Sequence, residues 1–254
     1  VTKGIPSTPG GPGTQRKMKP SGVEWIGEIP AEWEVRRLKF AAKYNVETLS
    51  ESTTDPNYEI EYLDIGNVNE DGKILSTEKM LYRDAPSRAR RIVKNYNTII
   101  STVRTYLRAI AYLQNISDNM IVSTGFAVIS CNPGSYAKYF FYLFRSTYFI
   151  EQVVKNSKGV GYPAITPSQS PSNLVDISTL IPPLPEQYVI AEFLDQETTK
   201  IDTLIRKIEK QIELLNENKQ SLITHAVTGK IDVRTEVAIN QTEEASKINP
   251  SEVI

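Results

Sequence analysis

From Glu186 to Val227 the chain carries neither proline nor glycine, and this stretch limits the fold more than any other feature. Proline removes a backbone donor and clashes with the preceding turn, and glycine loses the most entropy on ordering. Without them a single helix of about 40 residues is allowed, on the order of 60 Å long at the α-helical rise. Its start is marked. Ile181-Pro182-Pro183-Leu184-Pro185 stops whatever precedes it, and Glu186 places an acid where the helix dipole favours one. Gly229 is a natural stop. Within the stretch, positions step by four and three: Leu194, Thr198, Ile201, Ile205, Ile208, Ile212, Leu215, Lys219, Leu222, Ala226. That is a heptad stripe with polar interruptions at Thr198 and Lys219. Such a stripe needs a partner helix, from this domain, another copy or a further part of a longer chain.

The remainder has a different texture. Residues 1–20 are rich in Gly, Pro, Ser, Thr and Lys and are expected to be a linker. Trp25, Ile26, Ile29, Pro30 and Trp33 then crowd together as a layer capping a core. Strand-like runs lie at Thr98–Val103, Ala109–Leu113, Met120–Val122 and Ala127–Ser130, bounded by turn residues at Asn115–Asp118 and Asn132–Gly134. From Ser135 to Asn156, aromatic and aliphatic residues recur at helical spacing, which predicts two short helices broken near Ser146–Thr147 with their rings in the core. A glycine-punctuated loop, Lys158 to Pro163, follows. The expected fold class is α+β: a mixed α/β globular domain over residues 21–182 and a long coiled-coil-forming α-helix over 183–230. The polar residues 231–254 read as a disordered tail.

Composition excludes several kinds of chemistry. The lone cysteine, Cys131, rules out an internal disulfide and any cysteine-built zinc site. The lone histidine, His225, removes most histidine-based metal and triad chemistry. The sequence has no phosphate-binding Gly-x-x-x-x-Gly-Lys-Ser/Thr loop and no Gly-x-Gly-x-x-Gly fingerprint. Asn132-Pro133-Gly134 is a turn and lacks the Asn-Pro-Pro-Tyr pattern of amino-methyltransferases. Glu217-Asn218-Lys219 matches half of a nuclease pattern by chance, on the long helix. Glu59, Glu61 and Asp64 come without a ligand set or partner base. No catalytic residue, metal or cofactor is expected. No run is apolar enough to cross a bilayer and no signal peptide is visible, so the expected location is the cytoplasm and no membrane partner is expected. The chain begins at Val1, which suggests a start inside a longer protein.

The net charge is −1, so no global basic field announces nucleic acid. The distribution is more informative. Between Lys79 and Arg108 there are eight basic residues and one acid, Asp84. The bland reading is a solvated surface with scattered partners. Within this segment, Ile99 to Arg108 combines hydroxyls, guanidinium groups and a tyrosine at the end of an apolar strand. Guanidinium groups bind phosphate or pair with guanine edges, and hydroxyls donate to phosphates and bases. The candidate DNA contacts are Arg104, Thr105, Tyr106 and Arg108, the cluster Arg88, Arg90 and Arg91, and Lys158, Gly159, Tyr162 and Gln169 on the glycine loop.

Three separated blocks resemble type I restriction–modification specificity subunits. The first runs Lys19-Pro20-Ser21-Gly22-Val23-Glu24-Trp25-Ile26-Gly27-Glu28-Ile29-Pro30 and on to Trp33-Glu34-Val35. The second is Ile100-Ser101-Thr102-Val103-Arg104 with Leu107-Arg108, then Ser123-Thr124-Gly125-Phe126-Ala127-Val128. The third is Ile181-Pro182-Pro183-Leu184-Pro185-Glu186-Gln187 leading into the long helix, closed by Ile223 to Ile231. The resemblance implies a target-recognition domain followed by a conserved spacer helix. Such subunits carry two of each, with the helices packed antiparallel as a ruler between the halves of a split DNA site. It also implies double-stranded DNA, a methyltransferase (modification) subunit and, through the complex, a restriction subunit as partners. Val1-Thr2-Lys3-Gly4 echoes Val227-Thr228-Gly229-Lys230, as expected if this is the second recognition domain. Pairing of two copies through the long helix would give a symmetric reader. Two rivals remain: an enzyme in its own right, and a coiled-coil interaction or scaffold protein without direct DNA readout.

Overall fold

The computed structural model describes residues 16–23, 26–159, 163–166 and 173–232. The chain divides into two units, residues 1–194 and 195–254. In the first unit the strands are β1 (Met18–Pro20), β2 (Glu28–Pro30), β3 (Glu34–Arg37), β4 (Ala42–Tyr44), β5 (Glu59–Leu63), β6 (Glu78–Leu81), β7 (Ala89–Ile92), β8 (Thr98–Ser101), β9 (Ile110–Tyr112), β10 (Met120–Ser123), β11 (Phe126–Cys131) and β12 (Ser178–Ile181). Its helices are α1 (Ala137–Arg145), α2 (Thr147–Asn156) and the opening turns of α3 (Leu184–Val227). The class is α+β, as the sequence predicts.

Among the described residues two four-stranded sheets carry the domain, with strand orders β6-β5-β10-β7 and β4-β11-β8-β9. Pairing is antiparallel except between β5 and β10, where Met120 to Val122 run alongside Glu61 to Leu63. Side chains alternate across a strand, and here both alternations are buried. Ile99 and Val128 join Leu63, Met120 and Val122 in a core between the sheets. Their neighbours Ile100, Ala127 and Ile129 face the other way, against Phe140, Phe144 and Phe149 of the helices. A third, smaller core of Ile60, Tyr62, Ala89 and Ile121 covers the far face of the first sheet. Strands buried on both faces read as continuous apolar runs, which is why β8 to β11 are legible in the sequence.

The predicted helix pair forms with its break at Ser146. This residue leaves α1 in extended conformation, and its hydroxyl accepts from the Phe149 amide as the N-cap of α2. The Phe140, Phe144 and Phe149 rings are fully buried, with centroids 5.9 and 4.8 Å apart. The structure adds several short strands the sequence pattern conceals. Met18–Pro20, at the end of the expected linker, pair with β2. β3, with a polar Glu-Val-Arg-Arg sequence, pairs with β12.

The first and third family blocks meet where α3 leaves the domain. Glu186 accepts from the Trp33 indole nitrogen at 2.9 Å and from both terminal nitrogens of Arg16 at 2.7 and 2.6 Å. The Arg16 hydrogen bonds, offset in part by desolvation, hold the Glu186 carboxyl below the usual carboxylate range. Gln187 is buried, accepts from the Tyr136 amide that opens α1 and donates to the Pro182 carbonyl, both at 2.8 Å. One buried side chain thus satisfies two backbone groups that would otherwise be orphaned at a strand end and a helix start.

In the second unit α3 continues to Val227, and Gly229 closes it at φ +71, with the Lys230 amide donating to the His225 carbonyl. Ile201, Ile205, Ile208, Ile212, Leu215 and Leu222 are exposed along the heptad stripe. Among the described residues no helix is long and apolar enough to cross a membrane.

Candidate nucleic-acid interface

The Ser101 amide donates to the Ala109 carbonyl at 2.9 Å and closes a hairpin loop between β8 and β9. Inside the loop a single 3₁₀ turn, Thr105–Leu107, is bracketed by Arg104 (φ 52, ψ 49) and Arg108 (φ 55, ψ 28). Both arginines are in the left-handed region, which residues with a Cβ rarely adopt. Each costs about 1 kcal/mol, so the surroundings must hold them there. Such outliers recur at binding sites. The loop exposes Arg104, Tyr106, Leu107 and Arg108. Arg108 makes no ion pair among the described residues.

A second loop braces this hairpin. The Arg104 amide donates to the Pro163 carbonyl at 2.8 Å, and the Ile165 amide to the Thr102 carbonyl at 2.9 Å. Lys158 and Ala164 exchange backbone hydrogen bonds at 2.8 and 2.9 Å. Two groups of candidate residues separated by fifty positions are therefore side by side: Arg104 to Arg108 on one loop, Lys158 and Gly159 on the other. Gly159 is exposed at φ +110, a conformation glycine adopts without a Cβ penalty. Tyr162 and Gln169, expected on the same loop, lie outside the described residues.

The two halves of the second family block also meet. Thr102 donates both its amide and its hydroxyl to the Gly125 carbonyl at 2.8 Å. Ser123-Thr124-Gly125-Phe126 is the corner where the chain passes from the first sheet to the second. A Cβ on Gly125 would lie 2.1 Å from the Ile65 Cδ1, so the corner closes only with glycine unless Ile65 moves. The Thr124 amide donates to the Arg88 carbonyl at 2.8 Å, which brings Arg88 to the rim of the same surface.

The arginine cluster does not act as one patch. Alternation along β7 and its acidic neighbours divide it. Arg88 is exposed and pairs with Asp64 at 3.0 Å. Arg90 pairs with Glu51, stacks 5.2 Å from the Tyr82 ring centroid, and is only 15% exposed along its side chain. Arg91 is half-buried, donates to the Thr48 hydroxyl at 3.2 Å, and its Nε has no hydrogen-bond partner. Burial alone lowers its pKa. Lys94 pairs with Glu47. Apart from Asp84, which lies 3.8 Å from Arg83, the acids that pair with the basic segment lie outside it, at Glu47, Glu51 and Asp64. Thr105 is 4% exposed and its hydroxyl pairs with Ser157 at 2.8 Å, so it faces inward.

Comparison with known proteins identifies the family. The type I restriction modification DNA specificity domain matches residues 30–214. This chain belongs to that family. Among solved structures it is 30% identical to the HsdS subunit from Thermoanaerobacter tengcongensis, with a TM-score of 0.59, covering 74% of this chain and 48% of that one. A chain from a study of complex assembly and conformational transition of the type I R-M system is 28% identical, with a TM-score of 0.62, covering 77% of this chain and 50% of that one. The chain thus spans about half the length of these solved relatives. No curated protein matches it.

Proposed function

We propose that this chain reads one half of a bipartite DNA site for a type I restriction–modification complex, docks the methyltransferase subunit, and performs no catalysis itself. The observation that carries the reading is the braced hairpin loop, which presents two arginines and a tyrosine from a member of a DNA specificity family. Arg104, Tyr106, Arg108, Lys158 and Gly159 form the DNA-facing surface, with Arg88 at its rim; Tyr162 and Gln169 remain candidate contacts by residue type. Arg90 and Arg91 support the sheet behind it. The heptad stripe of α3 pairs with another recognition half or a second copy, and the restriction subunit joins through the complex in the cytoplasm.

Electrostatic contact to phosphates makes affinity fall linearly with the logarithm of salt. Binding of labelled duplex by the chain assembled with its methyltransferase subunit, measured from low to high salt, tests the reading. A steep slope that shallows by about one on Arg104→Ala or Arg108→Ala is the expected result. Salt-independent binding, or none, would reject it. The exposed stripe favours a second reading, a coiled-coil scaffold. Sedimentation separates the two: a scaffold self-associates without recruiting methyltransferase, whereas a specificity subunit recruits it.

A further inference from the structure

We propose that Thr105 is a positioning residue that bolts the reading loop to the end of α2, so that Arg104 and Arg108 are presented as a fixed pair. This inference rests on the DNA-reading function proposed above.

The geometry fixes the direction of the link. Ser157 follows the last residue of α2, and its hydroxyl donates to the Val153 carbonyl at 2.7 Å. That commits its only proton. The 2.8 Å contact between the two hydroxyls is therefore a donation from Thr105 to Ser157. The chain Thr105 Oγ1–H to Ser157 Oγ–H to Val153 C=O ends on a carbonyl in the last turn of α2, and Val153 is itself buried in the main core. Thr105 is also the residue directly after Arg104, inside the turn both arginines bracket. Its backbone takes part too: the Arg108 amide donates to the Thr105 carbonyl at 3.2 Å.

A hydroxyl on an exposed turn between arginines has the composition of a DNA contact. Its 4% exposure rules out that role in this conformation. What it supplies is restraint. Two left-handed arginines relax towards ordinary backbone angles unless the turn is pinned, and Thr105 is the only side chain of the turn Thr105–Leu107 that is buried. The arginines then meet DNA without ordering the loop at that moment, which preserves affinity and discrimination.

The test uses the full chain assembled with its methyltransferase subunit, and a duplex selected by the wild-type complex from a random-sequence library, against a scrambled duplex. Thr105→Val removes the donor at constant shape, and Thr105→Ser keeps it. The expected result for Thr105→Val is about a tenfold loss of affinity for the selected duplex and a smaller ratio over the scrambled one. The salt slope stays at the wild-type value, because no phosphate contact is lost. Thr105→Ser restores both. Ser157→Ala cuts the same link from the other side, leaves the loop sequence intact, and gives the same pattern if Thr105→Val does not fold. Wild-type affinity in both Thr105→Val and Ser157→Ala overturns the proposal. So does a slope that drops as it does for Arg104→Ala, since that makes Thr105 a direct contact. If Arg104→Ala and Arg108→Ala leave binding and slope unchanged, the DNA-reading surface itself has been misplaced, and the proposal falls with it.

Discussion

The arginines at 88, 90 and 91 and those at 104 and 108 belong to one basic segment, yet the fold uses them in opposite ways. The first group is denser in sequence and is tied down: Asp64 and Glu51 pair with Arg88 and Arg90, and the half-buried Arg91 donates to the Thr48 hydroxyl. The second is sparse, sits on a closed loop in strained backbone, and is exposed. Charge counted along a chain is therefore a poor guide to charge presented by a surface. What decides is which side chains the fold buries or ties down and which it leaves exposed.

Substitution at each group tests whether the contrast holds. The largest effect is expected from Arg104→Ala combined with Arg108→Ala. It should cost about 100-fold in DNA affinity at moderate salt, at one to three kcal/mol per arginine contact, with little change in melting temperature. Equal loss from Arg90→Ala would erase the distinction.

Acid comes next. The hairpin loop is held by neutral hydroxyls and backbone groups, whereas much of the rest is stapled by carboxylates. Glu61 is held down by hydrogen bonds from Ser117 and Thr77, Asp176 by Lys39 and Asn173, and Glu186 by Arg16 and Trp33. Each folded pKa is depressed. Each contribution is therefore present above the unfolded value of about 4 and is lost as pH falls through the folded one. The melting temperature should drop by on the order of 5 °C or more from pH 6 to pH 3.5. A flat profile would show that these staples do not matter.

Arg90→Ala should destabilise the domain by about 1–2 kcal/mol, because it removes a mostly buried side chain packed on the Tyr82 ring. DNA affinity, measured on the same preparation, should change less than about twofold. The smallest effect concerns Arg88, which stands at the rim. Arg88→Ala should weaken binding only by about two- to threefold, because Asp64 already compensates its charge. A loss as large as that from Arg104 would move the rim into the centre of the interface.

The sequence discloses those parts of the fold whose signals are local. The long helix shows through the absence of breakers and through Gly229. The α1–α2 pair shows through aromatic period and the Ser146 cap. β8 to β11 show because both their faces are buried. β3 and β6 stay hidden, since four residues such as Glu-Val-Arg-Arg carry no alternation to detect. The site was half legible. Arg104, Tyr106 and Arg108 stand out by residue type and end up exposed together. The inward turn of Thr105 could not be read, because its partner Ser157 is 52 positions away. Nor could the neutralisation of Arg90, whose acid Glu51 is 39 positions upstream. The roles of Arg16 and Gln187 stay hidden for the same reason, since their partners Glu186 and Tyr136 are 170 and 51 positions away.

The neck of the hairpin has one more consequence. With Ser101 and Ala109 hydrogen-bonded across it and Thr102 the last residue bonded to the neighbouring strand's end, residues 103–108 are cut off from the register of the sheet, as a keyring is from the keys it holds. Tyr106 and Leu107 are 50% and 46% exposed, so exchanging either leaves the strands where they are. A lengthened neck would not be so forgiving. One extra residue beneath the bond would slip β8 against β11 and turn Ile99 and Ile100 to each other's cores. The domain is built to accept new chemistry at its tip and to refuse new geometry at its base.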